Sequence, residues 1–276
     1  MTVRVFPWAL ASLVVLAPFA AAPQELALAP VPAFVLPTAP PVLSPDCNSK
    51  RIAGERFRRP LTALSRAARA RRDVKVLAIG SSSTVGVGAS SPSAAYITKL
   101  ETSLEGSLKG MDFDVVGRGL SGEVAQGAAD RMKKEVQDTK PDLVVWQVGT
   151  NDALRHVSLD KFKHCLKATL AWLADNKIDI VLVNPQYGEV LVKDAYYQEV
   201  VNAIAEVARE SRVLLVDRFE AMRDLQRERG DRFYLSADSL HMNDVGYRCM
   251  AEQLARAIVG GLVQADADQD QPVFFP

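Results

Sequence analysis

A three-layer α/β/α sandwich built on a five-stranded parallel sheet is the fold that this 276-residue sequence predicts. Three observations point to it. Short, wholly apolar runs recur along the chain, stretches with apolar residues at helical spacing separate them, and clusters of glycine, hydroxyl and acidic residues follow them. Strands without apolar/polar alternation are covered on both faces, and parallel neighbours need a crossover element between them.

The first strand is expected at 74–79, followed by a helix carrying Tyr96, Ile97, Leu100 and Leu104 on one face. The second strand, at 113–116, precedes a helix from about Glu123 that buries Val124, Ala128 and Met132. A third strand at 143–148 leads to a helix using Leu159, Phe162, Leu166 and Leu170. The fourth, at 178–183, is followed by Tyr197, Val200, Val201, Ile204 and Val207 at helical spacing. The fifth lies at 213–216, and a last helix runs from near Asn243 to about Val259.

The flanks differ in character. Residues 1–22 read as an export signal: Arg4 is the positive end, 5–19 is almost wholly apolar, and Ala20, Ala21 and Ala22 offer a small-residue cleavage site. The alternative is an uncleaved N-terminal anchor, and both readings place the rest outside the cytoplasm, in the periplasm or beyond, secreted or membrane-tethered. Residues 23–49 hold seven of the fifteen prolines and are expected to form an extended, poorly packed linker. Residues 50–72 carry nine basic side chains against the single acid Glu55, with Leu61, Leu64 and Ala68 at helical spacing after Pro60. That pattern is either a solvated amphipathic helix or a patch that rests on anionic lipid or polysaccharide. The folded domain is assigned to 73–262, and 263–276 to an acidic, mobile tail.

With 33 basic and 33 acidic residues the formal charge is zero, so no global field favours nucleic acid, and none is expected as a partner. Cys47, Cys165 and Cys249 are odd in number and widely spaced, which allows one disulfide and one free thiol with the pairing open. No cysteine stands at metal-ligand spacing and the only histidines are His156, His164 and His241, so no metal and no cofactor is expected.

In parallel sheets, ligands sit outside the carboxyl ends of the strands, so the turns there are the places to read for chemistry. The first strand runs into Gly80-Ser81-Ser82-Ser83-Thr84-Val85-Gly86, a turn that presents a serine. A serine hydroxyl needs a base to take its proton, and the base needs a carboxylate to fix its tautomer. Asp238 and His241, three residues apart, can aim both side chains at one point. His156 and His164 read as ordinary surface or half-buried histidines. Acyl transfer also needs donors for an oxyanion. The N–H of Gly122, the amide of Asn151 and the N–H of Ser82 are candidates.

These four blocks resemble the SGNH hydrolases of the GDSL esterase and lipase superfamily, and the resemblance covers about 74–259. The first block, Gly-Asp-Ser followed by Thr and Gly, corresponds to Gly80 through Gly86 with the nucleophile at Ser82. The glycine block corresponds to Gly119-Leu120-Ser121-Gly122, the Gly-x-Asn-Asp block to Gly149-Thr150-Asn151-Asp152, and the Asp-x-x-His block to Asp238-Ser239-Leu240-His241. The resemblance implies a flavodoxin-like sheet, a triad of Ser82, Asp238 and His241, and an oxyanion hole of Ser82, Gly122 and Asn151. It further implies metal-independent hydrolysis of an ester through an acyl-serine intermediate. Two positions depart from the pattern: Ser81 stands where Asp is usual, and Gly117 where an Asn often opens the second block.

For an exported member, acetyl or other short acyl esters on cell-envelope or extracellular carbohydrate are the expected substrate. A lysophospholipase or thioesterase acting on lipid, a polysaccharide O-acyltransferase, and a glycan-binding accessory module with weak turnover are the alternatives. Asn184, Gln186 and Tyr187, after the fourth strand, are the expected substrate contacts, with 223–235 also contributing, and the chain is expected to be a monomer.

Overall fold

The computed structural model describes residues 36–48, 55–56, 59–70, 73–230 and 233–269. Strands β1 (Glu55–Arg56), β2 (Asp73–Gly80), β3 (Asp112–Gly119), β4 (Leu143–Gln147), β5 (Asp179–Val183) and β6 (Leu214–Val216) form one sheet in the order β1-β6-β5-β4-β2-β3. β2 to β6 are the five parallel strands read from the apolar runs. Counted among themselves they lie in the order 2-1-3-4-5, the doubly wound flavodoxin-like arrangement. The strand order reverses between β2 and β4, which opens a crevice at their carboxyl ends. To this the fold adds β1, a two-residue antiparallel strand on the outer edge of β6, in a stretch without strand periodicity.

The helices are α1 (Thr62–Ala70), α2 (Ser82–Val85), α3 (Tyr96–Ser107), α4 (Ala125–Thr139), α5 (Thr150–Leu154), α6 (Leu159–Asp175), α7 (Ala195–Glu210), α8 (Arg218–Arg229) and α9 (Asp244–Gln269). Successive strand side chains point to opposite faces, so the apolar runs fill two cores at once. Val74, Val76 and Ala78 of β2 pack with α1, α3 and α9, whereas Leu77 and Ile79 pack with α4, α6 and α7. Each fully buried valine, leucine or isoleucine side chain among them contributes about 1.5–3 kcal/mol of transfer free energy. Trp146 of β4 has no exposed surface and anchors the second core.

Two flanking expectations change. Residues 36–48 are not a free tether. Cys47 is bonded to Cys249 of α9, 202 residues away in sequence. The Asp46 carboxylate pairs with Arg229 at 3.0 Å and Arg248 at 2.6 Å, Tyr234 donates to the Asp46 carbonyl, and the Ser44 N–H donates to Glu252. Proline-rich composition removes helix and sheet as options, but it does not prevent an extended strand from being pinned by side chains. Nor does the tail begin at 263: α9 continues to Gln269 and buries Leu262 and Ala265. The expected export signal, and the linker up to residue 35, lie outside the described residues. No described helix is long and apolar enough to cross a membrane.

A disulfide that closes so long a loop acts mainly by restricting the unfolded chain. Cys47→Ser is expected to lower stability by about 2–5 kcal/mol. Denaturant unfolding of the parent, its reduced form and the variant checks this; equal midpoints would contradict it.

Candidate active site

The turn after β2 is held tightly. Gly80 N–H and C=O stay in register with β3, and Gly80 accepts a hydrogen bond from the Leu120 N–H at 2.9 Å. Ser81 lacks the carboxylate common at its position, but its N–H and hydroxyl both donate to Oε1 of Gln147, at 3.1 and 3.2 Å. Gln147 is the last residue of β4 and is buried, so it ties the turn to the neighbouring strand. Of the three consecutive serines, Ser81 and Ser83 are buried while Ser82 is half-exposed at the start of α2.

The loop beyond Ser82 is docked onto the segment that carries His241. Tyr247 donates to the Val87 carbonyl at 2.6 Å, and the Ser90 N–H donates to Asp244 at 2.7 Å. Gly88 sits so close that a Cβ there would lie 3.0 Å from Cβ of His241 and 2.5 Å from the Met242 carbonyl oxygen. Within the segment, His241 Nδ1 and Asp238 Oδ2 are 2.6 Å apart. The other oxygen, Oδ1, accepts from the Ser236 hydroxyl and from the N–H groups of Leu240 and His241. Partial burial pushes the Asp238 carboxyl up, but the hydrogen bonds from His241, Ser236 and the two N–H groups outweigh it and hold it well below the usual carboxylate range. The carboxylate therefore stays ionised and fixes Nδ1 as the protonated nitrogen, leaving Nε2 free to accept.

Donors collect beside it. Gly122 has φ +77, a left-handed backbone that turns its N–H away from the chain's own acceptors. Neither that N–H nor the Ser82 N–H has an acceptor among the described residues. Asn151 spends one amide N–H on the Glu123 carbonyl at 2.9 Å, which orients the other. The adjacent Asp152 is buried and accepts from the Ala125 N–H with both oxygens, at 3.0 and 3.1 Å, so it ties the start of α4, just past the glycine turn, to α5. Arg155 adds an exposed cation at the rim, its Nη2 3.2 Å from where a Cβ on Gly122 would stand.

The polar loop after β5 faces inward. Asn184 has no exposed surface; it donates to Asp217 at 2.7 Å and accepts from the Phe219 N–H at 3.0 Å. Gln186 is buried too, its Oε1 accepting from Thr150 and Arg218 and its Nε2 donating to the Leu240 carbonyl. Tyr187 is half-buried edge-on to Phe219. The expectation that these residues meet substrate is corrected for Asn184 and Gln186, whose polar groups are consumed inside the protein. They organise the loops instead.

Sequence reading passed over Arg218, the first residue of α8. Its guanidinium has no exposed surface and donates from Nε to the Asn184 carbonyl at 3.0 Å, from Nη2 to Gln186 at 3.0 Å and from Nη1 to the Ser83 hydroxyl at 3.3 Å. Burial pushes it down to about 10, with Tyr197, Tyr247 and Tyr96 close by, so it is still a cation at neutral pH. The only available signal was an arginine two residues after a buried strand, which by itself reads as a helix start.

Among the described residues no three His, Cys, Asp or Glu side chains gather to hold a metal ion. The remaining thiol, Cys165, is buried, and burial pushes it up to about 11, so it is not a competing nucleophile.

A serine, an ionised Asp–His pair and outward backbone donors at the carboxyl edge of a doubly wound sheet define the SGNH type of hydrolase. The chain belongs to the non-GDSL lipase-like family, whose sequence model matches residues 47–264. Among solved structures, it is similar to a variant of an acetyl-xylooligosaccharide esterase from Geobacillus stearothermophilus, at 22% identity over 67% of this chain and 94% of that one, with a TM-score of 0.58. It is similar to TesA at 22% identity, 67% and 97% coverage and a TM-score of 0.58. A two-domain esterase active on acetylated mannans matches at 18% identity with a TM-score of 0.66, covering 83% of this chain and 61% of that one. No curated protein matches in sequence.

Two outcomes follow from the geometry. Arg218→Lys keeps the charge but loses the fork that joins Asn184 and Gln186. It is expected to lower kcat by about 10–100-fold with KM little changed, as a displaced loop does; unchanged steady-state kinetics would contradict it. Burial raises Asp152 to about 6. The folded state thus retains a proton that the unfolded chain has lost between about pH 4 and 6, and this group's contribution to stability falls as pH rises through that window. Asp152→Asn removes that slope, so stability of the parent relative to the variant is expected to decline from pH 4 to pH 6 by an amount on the order of 1–3 kcal/mol, read from unfolding midpoints.

Proposed function

We propose that the protein is a serine esterase that removes acetyl or other short acyl groups from carbohydrate through an acyl-serine intermediate. The observation that carries the reading is the 2.6 Å Asp238–His241 pair on a segment stapled to the turn of Ser82, the one serine of three with an accessible side chain.

In this reading His241 Nε2 takes the Ser82 proton as Oγ attacks the ester carbonyl. The resulting oxyanion accepts from the N–H groups of Ser82 and Gly122 and from the free amide N–H of Asn151. Asp238 stabilises the imidazolium, which then gives its proton to the departing alkoxide. Water enters, His241 takes one of its protons, and the hydroxide attacks the acyl-serine; the proton returns to Ser82 as the carboxylic acid leaves. No charge is left over.

The carbohydrate preference is supported by the fold shared with esterases described as acting on acetylated xylooligosaccharides and mannans. Export is supported by the Cys47–Cys249 bond, since such bonds persist in oxidising compartments. One observation favours a second reading, longer acyl or lipid esters. Val85, Leu120, Leu154 and Val190 are exposed aliphatic side chains, and all four stand on turns or short helices at the carboxyl edge.

Hydrolysis of p-nitrophenyl esters from acetate to decanoate tests both. The parent is expected to turn over acetate best, and Ser82→Ala to lose at least ~10³-fold in kcat. A maximum at long chains would replace the carbohydrate reading with the lipid one. Equal rates for parent and variant would remove the esterase reading and favour a binding module; faster transfer to added sugar than to water would make it an acyltransferase.

A further inference from the structure

At the opposite, amino-terminal edge of the sheet lies a second concavity of about 530 Å³, between α1 and the carboxyl ends of α6 and α7. Arg59, Arg66, Lys167, Lys177 and Arg212 line it, and Asp179 is the single acid among the described lining residues. That carboxylate is committed to the fold, accepting from the Leu64 N–H at 2.9 Å at the start of α1. Lys167 is paired with Glu210 at 2.7 Å. Arg59, Lys177 and Arg212 make no ion pair among the described residues, and the buried Nε–H of Arg59 has no acceptor among them.

Helix ends explain part of this pattern and not the rest. Lys177 (φ +58) and Arg212 (φ +55) occupy left-handed positions just past α6 and α7, where glycine or asparagine is common and where a cation complements the helix dipole. The dipole does not account for Arg59 and Arg66, which arrive from a different part of the chain to face the same groove. Like charges gathered in one concavity repel, and an anion seated among them relieves that cost.

We propose that this groove binds a polyanionic polysaccharide, a chain bearing carboxylate or phosphate groups, independently of the ester chemistry at the other edge. A flat bilayer would meet only the rim of a concave site, whereas a strand lies along it. Among the described residues no aromatic side chain lines the groove, so they offer bases nothing to stack on and do not favour nucleic acid. Binding here would hold the enzyme on an anionic matrix while its carboxyl edge remains open to esters.

The test uses the whole protein and the variant Arg59→Gln/Lys177→Asn/Arg212→Asn, in which asparagine tolerates the left-handed backbone. Polygalacturonate is the probe, neutral dextran the control and phosphatidylglycerol vesicles the competing surface. The parent is expected to bind polygalacturonate and to lose about tenfold in affinity between about 50 and 200 mM salt, as screened charge contacts do. The variant is expected to bind at least about tenfold more weakly at the lower salt, with p-nitrophenyl acetate hydrolysis unchanged. Undiminished binding by the variant, equal binding to dextran, or binding to vesicles without binding to polygalacturonate would overturn the proposal. Because hydrolysis is read separately, failure here leaves the esterase reading standing.

Discussion

The catalytic edge depends on one buried cation. Arg218 lies beneath the site with no carboxylate among the described residues in its hydrogen-bonding shell, and a lone charge in a protein interior costs several kcal/mol unless polar groups close around it. Four loops do so: the turn of Ser83 next to Ser82 and the Asn184–Gln186 stretch after β5 directly, and, through Gln186, the loops of Thr150 beside Asn151 and of Leu240 beside His241. The thioethers of Met242 and Met250 complete the shell. None of these loops can move alone without exposing an unsatisfied donor, so the charge makes their positions interdependent. Asp152 does the same for the start of α4, just past the glycine turn, from the other side.

This arrangement explains how the site tolerates serine at position 81. Where a carboxylate would tie down the nucleophile turn, Gln147 accepts both Ser81 donors from the adjacent strand, and Arg218 holds Ser83 from behind. The turn is fixed by one neutral acceptor and a cation rather than by an acid. Ser82 is left between two buried serines as the one that reaches the surface.

The five parallel strands were legible because each is a continuous apolar run, and the motif residues because turns at strand ends are local. Ser82, Gly122, Asn151, Asp238 and His241 all stand on the carboxyl edge where those turns were expected to converge. What was not legible depends on long-range packing. Asn184 and Gln186 look like a solvent-facing polar loop until α8 brings Arg218 and the Phe219 N–H against them. Asp46 and Cys47 sit in a proline-rich stretch whose composition suggests a tether, and three cysteines alone do not reveal which two meet. Gln147 reads as one more buried strand residue, and its role needs the register of β2 beside β4.

The central claim is that a single serine is activated by the Asp238–His241 pair. The most direct measurement is mass spectrometry of the intact protein after a fluorophosphonate, with peptide mapping of the adduct, in the parent and in His241→Ala. The account predicts one adduct, on Ser82, formed by the parent and lost in the variant; labelling of Ser81 or Ser83, or labelling that is indifferent to His241, would contradict it.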